Sequence, residues 1–352
     1  MPKKMKGLAL LLALSVLSFP AAEAAKRRSQ WRIEQGEITG EGPAVLWRDP
    51  TDISSRDLFY GPGGEKHAPH GTFTFLKEDL DGSSPKFTVQ DQDGTKWKVK
   101  LGAEARPETA ATRLVWAAGY FTNEDYFLPS IKVDNMQRLS RGRSQVGPDG
   151  VVHNVRLKRY LHDEKKIGNW EWSDSPFKST RELNGLRVLM AVLNNWDLKD
   201  TNNAIYQEKH GAAGPEQIYM ISDLGASFAG TAFAWPRGKS RGNLRAYQKS
   251  KFIQRETAEY VDFAMPSRPS LMYYFFGPRS YMNRVHLRWI GKHIPREDAR
   301  WMGQLLARLS HQQIRDAFRA AGYEPEQADE FSGVVEHRIT DLVGPTVSAG
   351  AP

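Results

Sequence analysis

Cysteine is absent from the chain. That excludes disulfides, a thiolate nucleophile, Cys-ligated zinc and iron–sulfur clusters. Long apolar runs are also missing. The longest, Gly7 to Phe19 (GLALLLALSVLSF), spans 13 residues, short of the ~20 that a membrane-crossing helix needs. There is no internal repeat and no low-complexity domain. Gly-x-Ser-x-Gly does not occur, and no Ser-His-Asp set is recognisable.

What remains is an ordinary globular composition. Hydrophobic residues make up 40% of the 352 and charged residues 26%, which excludes a collagenous, coiled-coil or largely disordered chain. This length suits two lobes around one cleft. The net charge of +8 is a mild basic excess. It permits an anionic ligand without specifying nucleic acid.

The N-terminus reads as a secretory signal peptide over 1–24. Lys3, Lys4 and Lys6 precede the apolar run, and Ala22-Glu23-Ala24 supplies a small-x-small cleavage site. The expectation is export to the periplasm or the medium, a start near Ala25 and no membrane span after cleavage. Residues 25–71 read as a basic arm (25–34) and a Gly- and Pro-rich, irregular lead-in.

Regular pattern begins at 72–77 (TFTFLK), a strand with Phe73 and Phe75 on one face. A turn-rich loop follows, then a second strand at 86–91. Asp93-Gly94 marks a hairpin turn into a third strand at 96–101. There Trp97, Val99 and Leu101 share one face, and Lys96, Lys98 and Lys100 share the other. Pro107 and Glu108 suit the first turn of a helix over 108–118, and Gly119 stops it. Residues 72–133 thus predict a small antiparallel lobe with one packed helix. The Arg-, Ser- and Gly-rich stretch 135–155 reads as a connection, and 134–342 as a mainly helical second lobe. Ser179 and Glu182 predict a capping box. Two short strands are expected at 204–207 and 217–221, with helices near 296–309, 311–321 and 326–342. The tail 343–352 reads as disordered.

The chemistry-bearing stretch is Asp197-Leu198-Lys199-Asp200-Thr201-Asn202, followed after a hairpin by Asp223-Leu224-Gly225. Asp and Asn supply the hard oxygen ligands that Mg²⁺ or Mn²⁺ takes. A carboxylate near an acceptor hydroxyl can orient it and take its proton, which suits Asp197. Lys199 can reach a transferred phosphate, and N–H groups around Gly82, Ser83 and Ser84 can cradle phosphate oxygens. The competing readings are structural. Asp197 and Asn202 also suit a turn after a helix, Lys100 a solvated strand face and Glu108 a first-turn acid. His67 and His70 have metal-ligand spacing but no third ligand in view. Trp170 and Trp172 suit core packing better than ligand stacking.

The order of these motifs resembles the protein-kinase-like superfamily, nearest to HipA-like and phosphoinositide-kinase-like proteins, over roughly 70–230. The resemblance implies a two-lobed α+β fold. It makes Asp197 the catalytic Asp, with Asn202 and Asp223 as metal ligands. Gly82-Ser83-Ser84-Pro85-Lys86 becomes the phosphate loop. Lys100 becomes the lysine that holds nucleotide phosphates, paired to Glu108 or, on spacing, to Glu104. The pattern departs in three places: Asn195-Trp196 stands where His-Arg is usual, the phosphate loop has one Gly, and only seven residues separate Lys100 from Glu108. The implied function is transfer of phosphate from ATP or another nucleotide, with Mg²⁺ or Mn²⁺, to a protein, peptide or small-molecule hydroxyl. An exported chain meets little ATP. Two rivals therefore stand: a non-catalytic kinase-like scaffold binding an envelope ligand or partner, and a kinase-like transferase of another group such as AMP. Retention of Asp197, Asn202 and Asp223 favours phosphotransfer. The sequence sets neither the acceptor nor the oligomeric state.

Overall fold

The computed structural model describes residues 40–344, except 83, 162–164, 212, 231–240, 266–281 and 284. The signal-peptide and arm readings, Ser83 and residues 345–352 of the tail lie outside the described residues. Among the described residues, no helix is long and apolar enough to cross a membrane.

The first lobe is built from β2 (Phe73–Asp79), β3 (Lys86–Asp91), β4 (Lys96–Leu101), β5 (Asp125–Asp134) and β6 (Val151–Arg159). They close into a barrel in the order β2-β3-β4-β6-β5. Neighbours are antiparallel, except that β2 meets β5 in parallel, Phe73 opposite Val133. Period-2 alternation puts Phe73, Phe87, Val89, Trp97, Val99, Val155 and Leu157 inside, each at most 2% exposed. The intervening residues face outward. Register sets Lys86 opposite Lys100, Lys98 opposite Lys158 and Lys100 opposite Arg156.

Helix α1 (Ala105–Ala117) begins three residues before the expected start and ends before Gly119. Gly119 has φ +90°, and a Cβ there would lie 2.2 Å from the Arg48 carbonyl oxygen, so a side chain is excluded on both counts. Ala110, Ala111 and Leu114 of α1 belong to the core of the second lobe. The helix is therefore anchored across the boundary between the lobes.

Two sequence expectations need correction. Residues 135–155 are not simply a connection, because 151–159 is the fifth barrel strand. The alternation was hidden by Asn154. Its φ of +52° breaks the period, so Val152 and Val155 are both buried. The helix after the lobe boundary, α2 (Arg181–Val192), is capped by Thr180 rather than Ser179: the Leu183 N–H donates to the Thr180 hydroxyl. Ser179 itself has φ +67°, which is not cap geometry.

The second lobe joins α2 to a sheet of β1 (Ala44–Val45), β9 (Gly214–Ile221), β8 (Asn203–Gly211) and β7 (Lys165–Gly168), in that order. The lead-in is thus structural: β1 pairs with β9 in parallel, and Leu46, Ile53 and Leu58 are core residues. A short helix α3 (Leu244–Gln248) and a three-stranded sheet of β10 (Ile253–Glu256), β11 (Tyr260–Phe263) and β12 (Ile294–Pro295) follow. Helices α4 (Arg296–Leu306), α5 (His311–Ala320) and α6 (Pro325–Val343) complete the lobe. Trp170 and Trp172 pack edge to face at 4.9 Å in its core. His67 and His70 take separate carboxylates, Glu124 at 3.1 Å and Asp93 at 3.0 Å.

Candidate active site

A cleft of about 840 Å³ runs between the outer face of β3, β4 and β6 and the turns flanking the β8–β9 hairpin. Gly82, Ser84, Lys86, Lys100, Asp197 and Asn202 all line it, as do Lys199 and Asp223. Glu108 lies behind it, 1% exposed.

Lys100 is not on a solvated face. Its side chain is 6% exposed, and its ammonium contacts Glu108 Oε2 at 2.7 Å, Glu104 Oε2 at 3.2 Å and Asp223 Oδ1 at 3.3 Å. Both candidate partners therefore hold it, Glu108 more closely. Burial alone would lower the Lys100 pKa; Asp223, Glu108 and Glu104 outweigh it and raise the pKa. Burial would likewise raise Asp223, but the Lys100 ammonium, the Gly225 N–H and Arg156 hold its carboxyl below the usual range. Asp223 is ionised at neutral pH.

The loop between β2 and β3 sits over this cluster. Gly82 has φ +63°, which favours glycine. The Leu101 N–H donates to the Pro85 carbonyl at 3.0 Å, and Ser84 Oγ donates to Glu104 Oε2 at 2.7 Å. Lys86 is half-buried and lies 3.7 Å from Asp79.

The opposite wall is a chain of local bonds. After α2, Asn194 turns in a left-handed conformation (φ +52°), and the Asp197 N–H donates to Asn195 Oδ1 at 2.9 Å. Asn202 Nδ2 donates to the Asp197 carbonyl at 2.6 Å. That bond fixes the amide and leaves Asn202 Oδ1 as the acceptor. Ser222 donates to the Asn202 carbonyl from its N–H at 2.8 Å and its hydroxyl at 3.0 Å, which draws the residue next to Asp223 against Asn202. Lys199 Nζ is 3.3 Å from Asp197 Oδ2. All of Asp223's contacts among the described residues fall on Oδ1. Its Oδ2 and Asn202 Oδ1 are thus two hard oxygen donors lining one cleft, a set that fits Mg²⁺ or Mn²⁺.

Two site residues were not foreseen from the sequence. Arg156 lies 2.7 Å from Glu108 Oε1 and is 3% exposed, so Glu108 bridges two buried cations. Its only sequence signal was the broken alternation of 151–159. Arg241 reaches Glu104 Oε1 at 2.7 Å while its guanidinium lies 5.0 Å from the Trp196 ring centroid. Trp196 thus contributes a buried aromatic face at the position where the resemblance expects Arg. Nothing local in the sequence links residues 104, 196 and 241.

Glu104 gives a pH test. Burial pushes its carboxyl up, but Lys100, Arg241 and Ser84 pull harder, and the net direction is down. A lowered carboxylate contributes stability above its unfolded pKa of about 4.3 and loses it as pH falls through the folded value. Glu104→Gln should therefore cost ~1–3 kcal/mol at pH 7. Chemical denaturation should show that gap shrinking below about pH 4. A gap that stays constant down to pH 2 would mean that the charge of Glu104 carries none of it.

The described residues form a two-lobed α+β fold. A five-stranded lobe with one anchored helix faces a mainly helical lobe across a cleft. No family model and no curated protein matches the chain. Among solved structures it is similar to the Helicobacter pylori proinflammatory kinase CtkA, at 10% identity and a TM-score of 0.43, over 78% of this chain and 97% of that one. It is also similar to the Golgi casein kinase, at 9% identity and 0.35, over 96% and 93%. A Golgi casein kinase structure with Mn/ADP bound gives 11% and 0.31, over 94% and 93%.

Proposed function

We propose that the protein is a phosphotransferase that uses a nucleotide such as ATP with Mg²⁺ or Mn²⁺ and acts on a hydroxyl acceptor. One observation carries this reading: a single cleft joins the buried Lys100–Glu108 pair to Asp223, and Asp197 and Asn202 line that same cleft. Phosphoryl transfer needs charge neutralisation and alignment more than covalent help from the protein. Lys100, held by Glu108 at 2.7 Å, would contact the donor phosphates. Asp223 and Asn202 would hold the divalent ion, which when bound offsets phosphate charge. Asp197 would orient the acceptor hydroxyl and take its proton, and Lys199 beside it would meet the transferred group. The loop around Gly82 and Ser84 would cover the phosphates.

The test is nucleotide binding followed by thermal shift and calorimetry. Mg²⁺–ATP or Mn²⁺–ATP should raise the melting temperature, because a ligand that binds only the folded state stabilises it. Asp223→Asn removes the charge opposite the metal but leaves Lys100 paired to Glu108 and Glu104. It should abolish the metal-dependent part of that shift while melting close to wild type without ligand. Equal Mg²⁺–ATP affinity in wild type and Asp223→Asn would overturn the metal assignment.

A further inference from the structure

The same cleft holds further cations that extend from Lys100 toward β7. Lys98 lies two residues before Lys100 on β4, about 6.8 Å along the strand, and on the same outer face. Lys158 stands directly opposite it on β6, and Lys86 borders it from β3. Lys166 of β7 lines the cleft from the second lobe, beside Tyr206, its cross-strand partner.

Like charges directly opposite on a sheet are destabilising. The Lys98–Lys158 pair is therefore a cost to the fold. Asp79 meets part of it, at 2.7 Å from Lys98 and 3.7 Å from Lys86. Lys158 Nζ contacts the Tyr206 hydroxyl at 3.5 Å and lies 5.7 Å from the ring centroid. Burial and the charge of Lys98 lower the pKa of both Lys86 and Lys166, the direction expected where cations crowd. The hydroxyl of Thr88, directly across from Lys98, is buried with no hydrogen-bond partner among the described residues. Four lysines thus share this end of the cleft with the carboxylates of Asp79 and Asp81.

We infer that Lys98, Lys158 and Lys166, with Lys86 between them and Lys100, form a second anion subsite, so that the cleft takes a ligand with phosphate groups at both ends. One end lies at Lys100 and Asp223 and the other at this cluster. Linear polyphosphate and a polyphosphorylated small molecule share that chemistry. The inference rests on the phosphotransferase reading for the first end only; the second end stands on the lysine cluster itself.

Tripolyphosphate is the probe, added to the full chain without divalent metal and titrated by calorimetry at two salt concentrations. Wild type should bind it, more weakly at high salt. Lys98→Gln/Lys166→Gln should bind at least ten-fold more weakly, yet melt no lower without ligand than the loss of one Asp79 contact explains. Lys166→Gln alone, on an exposed position of β7, should show a smaller loss in the same direction and keeps the test valid if the double variant fails to fold. Unchanged tripolyphosphate affinity in the variants overturns the subsite. So does tighter binding of adenosine than of tripolyphosphate, because an uncharged nucleoside gains nothing from four ammonium groups. Inositol hexakisphosphate, run in parallel, separates a compact ligand from a linear one by which binds tighter. The two readings fail separately. If Asp223→Asn loses metal-dependent ATP binding while the lysine variants keep tripolyphosphate, the subsite falls and the phosphotransferase stands. The converse result removes the phosphotransferase and leaves the anion site.

Discussion

Replacing Asp197 by Asn is expected to slow phosphoryl transfer by ~10²–10⁴-fold, the range typical of a lost general base, with nucleotide affinity nearly unchanged. The substitution is nearly isosteric. It keeps an oxygen toward Lys199, and the backbone bonds to Asn195 and Asn202 do not involve the replaced group. The loop should hold its shape, and only basicity at one oxygen is lost. Donor phosphates are assigned to Lys100, Asp223 and Asn202, so binding should not follow the rate. Single-turnover transfer of a labelled terminal phosphate, to the chain itself or to water, gives the rate. Calorimetry gives the affinity. Turnover equal to wild type would remove Asp197 from the chemistry, whatever the fate of the metal site.

The second large effect is on stability. Glu108→Gln should destabilise the fold by ~3–5 kcal/mol, the range for breaking a buried ion pair from one side. Glu108 holds Lys100 at 2.7 Å and Arg156 at 2.7 Å, and all three residues are at most 5% exposed. A neutral amide leaves Arg156 without that carboxylate and opposite Lys100 on the neighbouring strand, while Lys100 keeps Glu104 and Asp223. Urea denaturation should show a lower midpoint at a nearly unchanged slope. Arg156→Met in the Glu108→Gln background should restore part of the loss, because it removes the cation that lost its carboxylate. A Glu108→Gln protein within ~0.5 kcal/mol of wild type, the size of an ordinary surface change, would show that the cluster is solvated in solution.

The first lobe was largely legible in the sequence because its strands alternate cleanly. TFTFLK, KFTVQD and KWKVKL each put bulky residues at every second position, and each is a strand. The same register sets Lys100 on the outer face with Lys96 and Lys98, and its role there comes from the resemblance alone. What failed has local causes. Asn154 breaks the alternation of β6, so Arg156 went unnoticed. Ser179 carries the right side chain for a cap, but its backbone is left-handed, and the role passes to Thr180. The lead-in after residue 40 reads as irregular because its one strand has two residues, Ala44 and Val45, accompanied by a single bridge from Trp47 to Tyr120 and by isolated buried side chains. The gathering of Glu104, Trp196 and Arg241 depends on three distant segments meeting, and no window of sequence contains it.

The parallel contact between β2 and β5 has a consequence for recognition. It closes the barrel through two residue pairs, Phe73–Val133 and Thr74–Asp134, and so covers that end of the β2 and β5 edges. At that seam an extended peptide has no free N–H and C=O row on which to dock as an added strand. The four residues of β7 form an open edge of the second lobe. A strand added there would lie next to Lys166 and the entrance to the cleft.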